Sequence, residues 1–282
     1  MNWNEISSPT ITFERASVLF GPSPEKNCPN ILELMRQGQS KDNIRKSTGY
    51  TIGLIEVSLT IDPGEMFVVM GLSGSGKSTL LRLINRLITP TMGTTRVGQI
   101  DVAALNQGDL LAFRRQNVSM VFQSFGLLPH RNVTDNIAFP LRVQGYARSS
   151  ARARAAGWIE RVGLVGYGNA MPSELSSGMQ QRVGLARALV TGAPILLMDE
   201  PFGALDPLTR RAMQQELKAL QRDLGKTVVL ITHDPMEAFN LADRIALLRE
   251  GQLVQLAAPE VMAAAPADEE VSAFVSAARD LP

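Results

Sequence analysis

Residues 66–88 read MFVVMGLSGSGKSTLLRLINRLI: a short apolar run, a loop of glycine and serine, and an amphipathic helical stretch. The loop itself, Gly71-Leu72-Ser73-Gly74-Ser75-Gly76-Lys77-Ser78-Thr79, is a full G-x-x-x-x-G-K-[ST] pattern in the strand-to-helix setting that gives it meaning. Glycines let the backbone turn so that successive N–H groups and the helix N-terminus converge on the α- and β-phosphates of a nucleotide. Lys77 then supplies a point charge at the β/γ-phosphates and Ser78 an oxygen for Mg²⁺.

Outward from this loop, short apolar runs alternate with helical stretches from Ile52 onward: ILLM then PLTRRAMQQELKALQRDL, VVLIT then PMEAFNLA, and finally RIALL. That alternation predicts an α/β fold with a parallel core sheet and helices on its faces. Residues 1–21 alternate as a strand around ITFERASVLF and predict an antiparallel β layer at the N-terminus, after which PSPEKNCPN breaks the pattern with three prolines. A segment over 22–50 therefore reads as inserted. Residues 128–172 predict a helical insertion, and the alanine-rich tail 259–282, punctuated by Pro259 and Pro266, predicts short helices packed on the body.

The strand Ile195–Met198 ends in Asp199-Glu200, which puts two carboxylates at the carboxyl edge of a parallel sheet, where α/β ligands bind. On its own such a pair is an ordinary solvated strand end. Beside a phosphate loop it reads as catalytic: Asp199 holding Mg²⁺ through its water shell, and Glu200 accepting a proton from, or orienting, the water that attacks the γ-phosphate.

Composition narrows the classes. With 282 residues, 45% of them hydrophobic, the chain can bury a full core. No apolar run approaches the ~20 residues of a spanning helix, and MNWNEISSPTITFE lacks the basic and apolar stretches of a signal peptide. One cysteine, Cys28, permits no internal disulfide, and His130 and His233 are the only histidines, too few for a zinc cluster. A net charge of +1 and a pI near 7.9 fall short of a nucleic-acid-binding domain. The most basic stretch, Arg148–Arg161, reads as a solvated helix face.

A third motif decides the class: Leu175-Ser176-Ser177-Gly178-Met179-Gln180-Gln181-Arg182, followed by VGLARALV. Taken with Gln123 in MVFQSFGLLP, Ala204-Leu205-Asp206 and His233 ending VVLITH, the chain resembles the ATP-binding subunit of ABC transporters over roughly residues 13–260. The resemblance implies a P-loop NTPase fold of the RecA-like type, an ATP-binding domain spanning 1–258, and a homodimer sandwiching two ATP molecules head to tail. It implies that Ser176, Ser177 and Gly178 meet the γ-phosphate held by the partner's loop, and that Asp206 reaches across the dimer. It implies further that Gln123 senses Mg²⁺ and the attacking water, that His233 bonds the γ-phosphate and that water, and that an aromatic ahead of the loop stacks on adenine. Phe20 fits that last pattern better than Tyr50.

Two departures stand out: Ser177 replaces the family's usual glycine, and Met179 a common glutamine. If residue 177 needed φ > 0, its Cβ would cost on the order of 1 kcal/mol, which predicts a slowed ATPase.

The wording of GLSGSGKSTLLRLINRLITPT, VFQSFGLLPHRNVTDNIAFPL and DEPFGALDPLTRRAMQQEL is similar to the importers of quaternary amines: choline, glycine betaine and proline betaine. This implies a peripheral subunit at the cytoplasmic face of a bacterial plasma membrane, a permease docking a cytoplasmic helix near residues 124–145, and a separate substrate-binding protein. Substrate choice is expected to lie in those partners, since a quaternary ammonium needs an aromatic cage and only 5% of this chain is aromatic. Many betaine relatives continue into CBS domains, which this sequence does not contain; a nutrient importer is expected over an osmotically gated one. The competing classes are a non-transport ABC ATPase, which normally has two cassettes and a basic surface, and an ATP-switched regulatory module with little turnover.

Overall fold

The computed structural model describes residues 9–124 and 126–279; the expectations for residues 1–8 and 280–282 lie outside it. The chain forms two compact units, one from residues 111–230 and the other from residues 9–110 with 231–279.

In the second of these the chain begins with β1 (Ile11–Phe20), α1 (Pro24–Arg36), α2 (Lys41–Thr48) and β2 (Thr51–Ile61). It continues through β3 (Met66–Met70), α3 (Lys77–Ile84), β4 (Met92–Val97), β5 (Ile100–Asp101) and the first turn of α4 (Gln107–Asn117), the rest of which belongs to residues 111–230. β1 pairs antiparallel with β2 and β4 in the order β2-β1-β4-β5, the N-terminal antiparallel layer that the alternation predicts. Register slips between Phe13 and Ala16, where Arg15 and Glu56 both adopt positive φ, the signature of a bulge that re-aims two side chains. Arg15 and Arg36 both bind the Glu56 carboxylate, tying α1 to the sheet.

The segment over 22–50 is helical. Pro24 sits in the first turn of α1, where a missing N–H costs nothing, and Ser40 caps α2 by accepting from the Asn43 N–H. The two helices bury Cys28, Ile31, Leu32 and Ile44 against Leu19, Ile52 and Ile55.

In residues 111–230 the elements are β6 (Val118–Val121), α5 (Val133–Val143), α6 (Arg148–Arg161), α7 (Ser177–Leu189), β7 (Ile195–Asp199), α8 (Pro207–Leu224) and β8 (Thr227–Ile231). β6 and β7 run parallel in the register Val118↔Ile195 to Val121↔Met198. The helices α5, α6 and α7 close around Ile137, Leu141, Ala151, Ala155, Ile159 and Val183, a core of their own. Along α6, Ala151 and Ala155 face inward while Arg154 lies over the Tyr146 ring at 4.6 Å and Arg152 pairs with Asp135 at 2.6 Å.

The last stretch holds α9 (Pro235–Leu241), β9 (Arg244–Arg249), β10 (Gln252–Ala257), α10 (Pro259–Ala264) and α11 (Glu269–Arg279). β9 pairs parallel with β3, and β10 antiparallel with β9. Every residue of β3 is buried, as a strand covered on both faces requires. Arg249 binds Asp268 at 2.7 Å and Glu270 at 3.0 Å at the start of α11, and Met262 of α10 and Val271 of α11 are buried.

Candidate functional site

The phosphate loop leaves β3 at Gly71 and enters α3 at Lys77. Gly71, Gly74 and Gly76 have φ of 145°, 77° and 107°, conformations that L side chains avoid. Space constrains two of them as well: a Cβ on Gly71 would lie 2.1 Å from the Leu248 carbonyl, and one on Gly76 would lie 2.5 Å from that of Gly53. Lys77 is buried, and its Nζ donates to the Gly71 oxygen at 2.7 Å and the Leu72 oxygen at 3.0 Å. The lysine therefore curls back over its own loop, while Leu72, Ser73 and Gly74 stand exposed.

Of the two aromatic candidates, Phe20 lies beside this loop. Its ring and the Thr79 methyl both flank Gly53, at 2.9 and 3.1 Å from where a Cβ would sit, and 43% of Phe20 remains exposed. Tyr50 instead covers Gly21 and donates its hydroxyl to the Pro22 carbonyl. In the same unit His233 is exposed just after β8, followed by Asp234, which caps α9 by accepting from the Met236 and Glu237 N–H groups.

The carboxylates and Gln123 belong to residues 111–230. Asp199 closes β7 and Glu200 follows it with φ of +46°, a left-handed conformation that costs a residue with a Cβ about 1–2 kcal/mol. Backbone strain of this kind collects at functional sites. Gln123, two residues past β6, donates from Nε2 to Glu200 Oε2 at 3.2 Å. The structure thus brings Gln123 against Glu200.

Ser176 is the N-cap of α7, its hydroxyl accepting from the Met179 N–H at 3.3 Å. Ser177 is the first helical residue and has no positive φ, so the strain foreseen for a serine there does not arise, and the slowed turnover expected from it loses its basis. The tight position is Gly178, where a Cβ would lie 2.7 Å from Thr209 Cγ2. Asp206, exposed, caps α8; hydrogen bonds from the Thr209 hydroxyl and then the Thr209 N–H hold its carboxyl below the usual range. Thr209 joins these two motifs and was not foreseen, because a threonine within PLTRR carries no signal of its own. Lys41 was also missed: its Nζ donates to the Gly74 carbonyl at 3.2 Å, a contact that no motif announces.

The model of the ABC transporter family matches residues 54–203, more than half of the chain. The chain belongs to this family. Within the ABC family it is 48% identical over 265 residues to the glycine betaine/carnitine transport ATP-binding protein GbuA of Listeria monocytogenes, covering 94% of this chain and 66% of that protein. It is 48% identical over 270 residues to the trimethylamine N-oxide transport system ATP-binding protein TmoW of Ruegeria pomeroyi, covering 95% and 78%. Among solved structures, a dimeric ATP-binding cassette in a post-hydrolysis state bound to ADP and Pi superposes with a TM-score of 0.73 at 31% identity, covering 88% of this chain and 98% of that one. The chain spans just under two thirds of the length of the glycine betaine relatives it matches.

Proposed function

We propose that this chain binds ATP with Mg²⁺, hydrolyses it to ADP and phosphate, and so energises an importer of quaternary amines such as glycine betaine. The observation that carries the reading is the loop: three positive-φ glycines followed by a buried lysine at the head of a helix, an arrangement of donors suited to polyphosphate.

Within this reading the backbone of Gly71–Thr79 cradles the α- and β-phosphates, Lys77 neutralises charge at the β/γ oxygens, and Phe20 stacks on adenine. Glu200 orients and deprotonates the attacking water, and the bond from Gln123 keeps its carboxylate aimed; His233 bonds the γ-phosphate. The Ser78 hydroxyl, Gln123 and Asp199 are hard oxygen donors. By the family resemblance they would hold Mg²⁺, which keeps most of its water and takes few protein ligands, and the ion would supply positive charge to offset that developing on the phosphates.

Two copies would enclose two ATP molecules, with the Ser176–Gly178 cap of α7 and Asp206 completing the partner's site. The N-terminus of α7 favours an anion. A permease would dock on the face of residues 111–230 that holds a groove of 480 Å³ lined by Leu111, Met120, Phe122, Phe139 and Val143; Leu111, Phe122 and Val143 are each at least 42% exposed. No helix among the described residues is long and apolar enough to cross a membrane, and membrane attachment is assigned to that permease. The substrate-binding protein would act through it and not touch this chain.

The test is phosphate release from Mg-ATP by the purified chain, alone and after co-reconstitution with a betaine permease, with Lys77→Ala as control. Turnover that Lys77→Ala abolishes, together with ATP-dependent betaine uptake, is the expected result. Absence of both from the reconstituted parent would refute the proposal.

A further inference from the structure

The helix pair α1–α2 is the part of the chain that the nucleotide motifs leave unused, yet it reaches the phosphate loop. Its buried residues lock it onto β1 and β2, and β2 also carries Gly53, whose carbonyl lies under Gly76. Ser40 caps α2 and sets Lys41 as the first helical residue. From that fixed base the Lys41 side chain crosses to the loop, where Nζ donates to the Gly74 oxygen at 3.2 Å.

The loop is held next door as well. Gly251, in the turn between β9 and β10, donates its N–H to the Ser75 oxygen at 2.9 Å and accepts from the Ile55 N–H at 2.8 Å. Lys41 runs along this turn, its Cε 3.2 Å from where a Cβ on Gly251 would sit. Two successive carbonyls of the loop are therefore engaged, Gly74 by Lys41 and Ser75 by Gly251. Each carbonyl shares a planar trans peptide with the next N–H, which points the opposite way. Holding Gly74 fixes the peptide whose Ser75 N–H closes the turn on the Leu72 oxygen at 3.2 Å, and holding Ser75 fixes the aim of the Gly76 N–H. A Cβ at Gly74 would meet nothing within 4 Å, so packing around its α-carbon does not immobilise that residue. Burial pushes the Lys41 amine down from its ordinary value, and the charge of Glu250 opposes that shift.

We propose that Lys41 is a positioning residue for nucleotide binding: from the inserted helix pair it clamps the Gly74 peptide and adds a second cation beside the loop that holds the phosphates. This rests on the reading of the loop as an ATP site. Lys41→Met keeps the stem and removes the donor, and Lys41→Arg restores a cation. With the full chain, ATP affinity in Mg²⁺ is measured by titration calorimetry beside kcat, KM and the melting temperature without nucleotide, with Lys77→Ala as the control for the site itself. Loss of one charged hydrogen bond predicts that Lys41→Met weakens ATP binding and raises KM roughly five- to twentyfold. Its kcat and nucleotide-free melting temperature should stay near the parent's, and Lys41→Arg should recover most of the affinity. Parent-like affinity in Lys41→Met overturns the proposal, as does a fall in melting temperature that accounts for the loss and that arginine does not repair. A parent that binds no ATP overturns the reading of the loop and this proposal together; a parent that binds, with Lys77→Ala inactive and Lys41→Met unaffected, overturns only this proposal.

Discussion

Gln123 Nε2 donates to Glu200 Oε2 at 3.2 Å. The contact follows from strand register: Val121 pairs with Met198 in the parallel ladder of β6 and β7, and each polar residue stands two positions further on. A carboxylate that accepts this amide is oriented in one direction, which is what a group aiming a water requires. Replacing the amide by a second carboxylate inverts the effect. In Gln123→Glu, two like charges about 3 Å apart cannot both stay ionised, so the proton affinity of the pair rises. The acid limb of the pH profile for ATP hydrolysis should then move to higher pH by about one unit or more. An unmoved limb would show that Gln123 does not face the base during turnover.

Glu200 holds φ of +46°, so its conformation and its chemistry make opposite demands. Glycine relieves the strain and alanine does not. Glu200→Gly should unfold in denaturant with a free energy about 1 kcal/mol above that of Glu200→Ala, while both lack turnover. Equal stability of the two variants would remove strain from the account.

Much of this architecture was legible in the sequence. MFVVM and ILLM read as buried strands because parallel strands covered on both faces lack alternation, and the phosphate loop announces its own geometry. The helical character of 22–50 was not legible, since its prolines look like breakers until Pro24 is seen at a helix start. Contacts that depend on chain folding, Lys41 to Gly74 and Gly178 to Thr209, leave no local pattern. The concern over Ser177 came from treating a sequence departure as a backbone constraint; the constrained residue is its neighbour.

That neighbour gives a further prediction. Gly178→Ala would force a Cβ to within 2.7 Å of Thr209 Cγ2, an overpacking that should cost about 1–3 kcal/mol and disturb the α7 cap. Thr209→Ser deletes the clashing methyl and keeps both the hydroxyl and the N–H that bind Asp206. The double variant should recover most of the lost stability and ATPase rate, whereas Ser177→Gly should accelerate nothing. A Ser177→Gly variant faster than the parent would contradict the helical reading of that residue.

The Glu56 carboxylate binds both Arg15 of β1 and Arg36 of α1. The hydrogen bond from Arg15, reinforced by Arg36, holds it below its ordinary value against the opposing effect of burial. A carboxylate whose pKa is lower folded than unfolded stabilises the fold at pH above its unfolded value. That contribution fades as pH falls through the folded value. Melting curves of the parent and Glu56→Gln should therefore differ at neutral pH and converge in acid below the usual glutamate range. Curves that stay parallel throughout would argue against the ion-pair account.

The central claim is that Glu200 drives hydrolysis of ATP held between two copies of the chain. The most direct measurement follows Mg²⁺-dependent phosphate release by the parent and by Glu200→Gln while light scattering reports the mass of each with and without ATP. Turnover in the parent, none in the variant, and an ATP-dependent doubling of mass in the variant are predicted. A Glu200→Gln chain that still hydrolyses ATP, or that binds ATP and stays monomeric, would contradict the account.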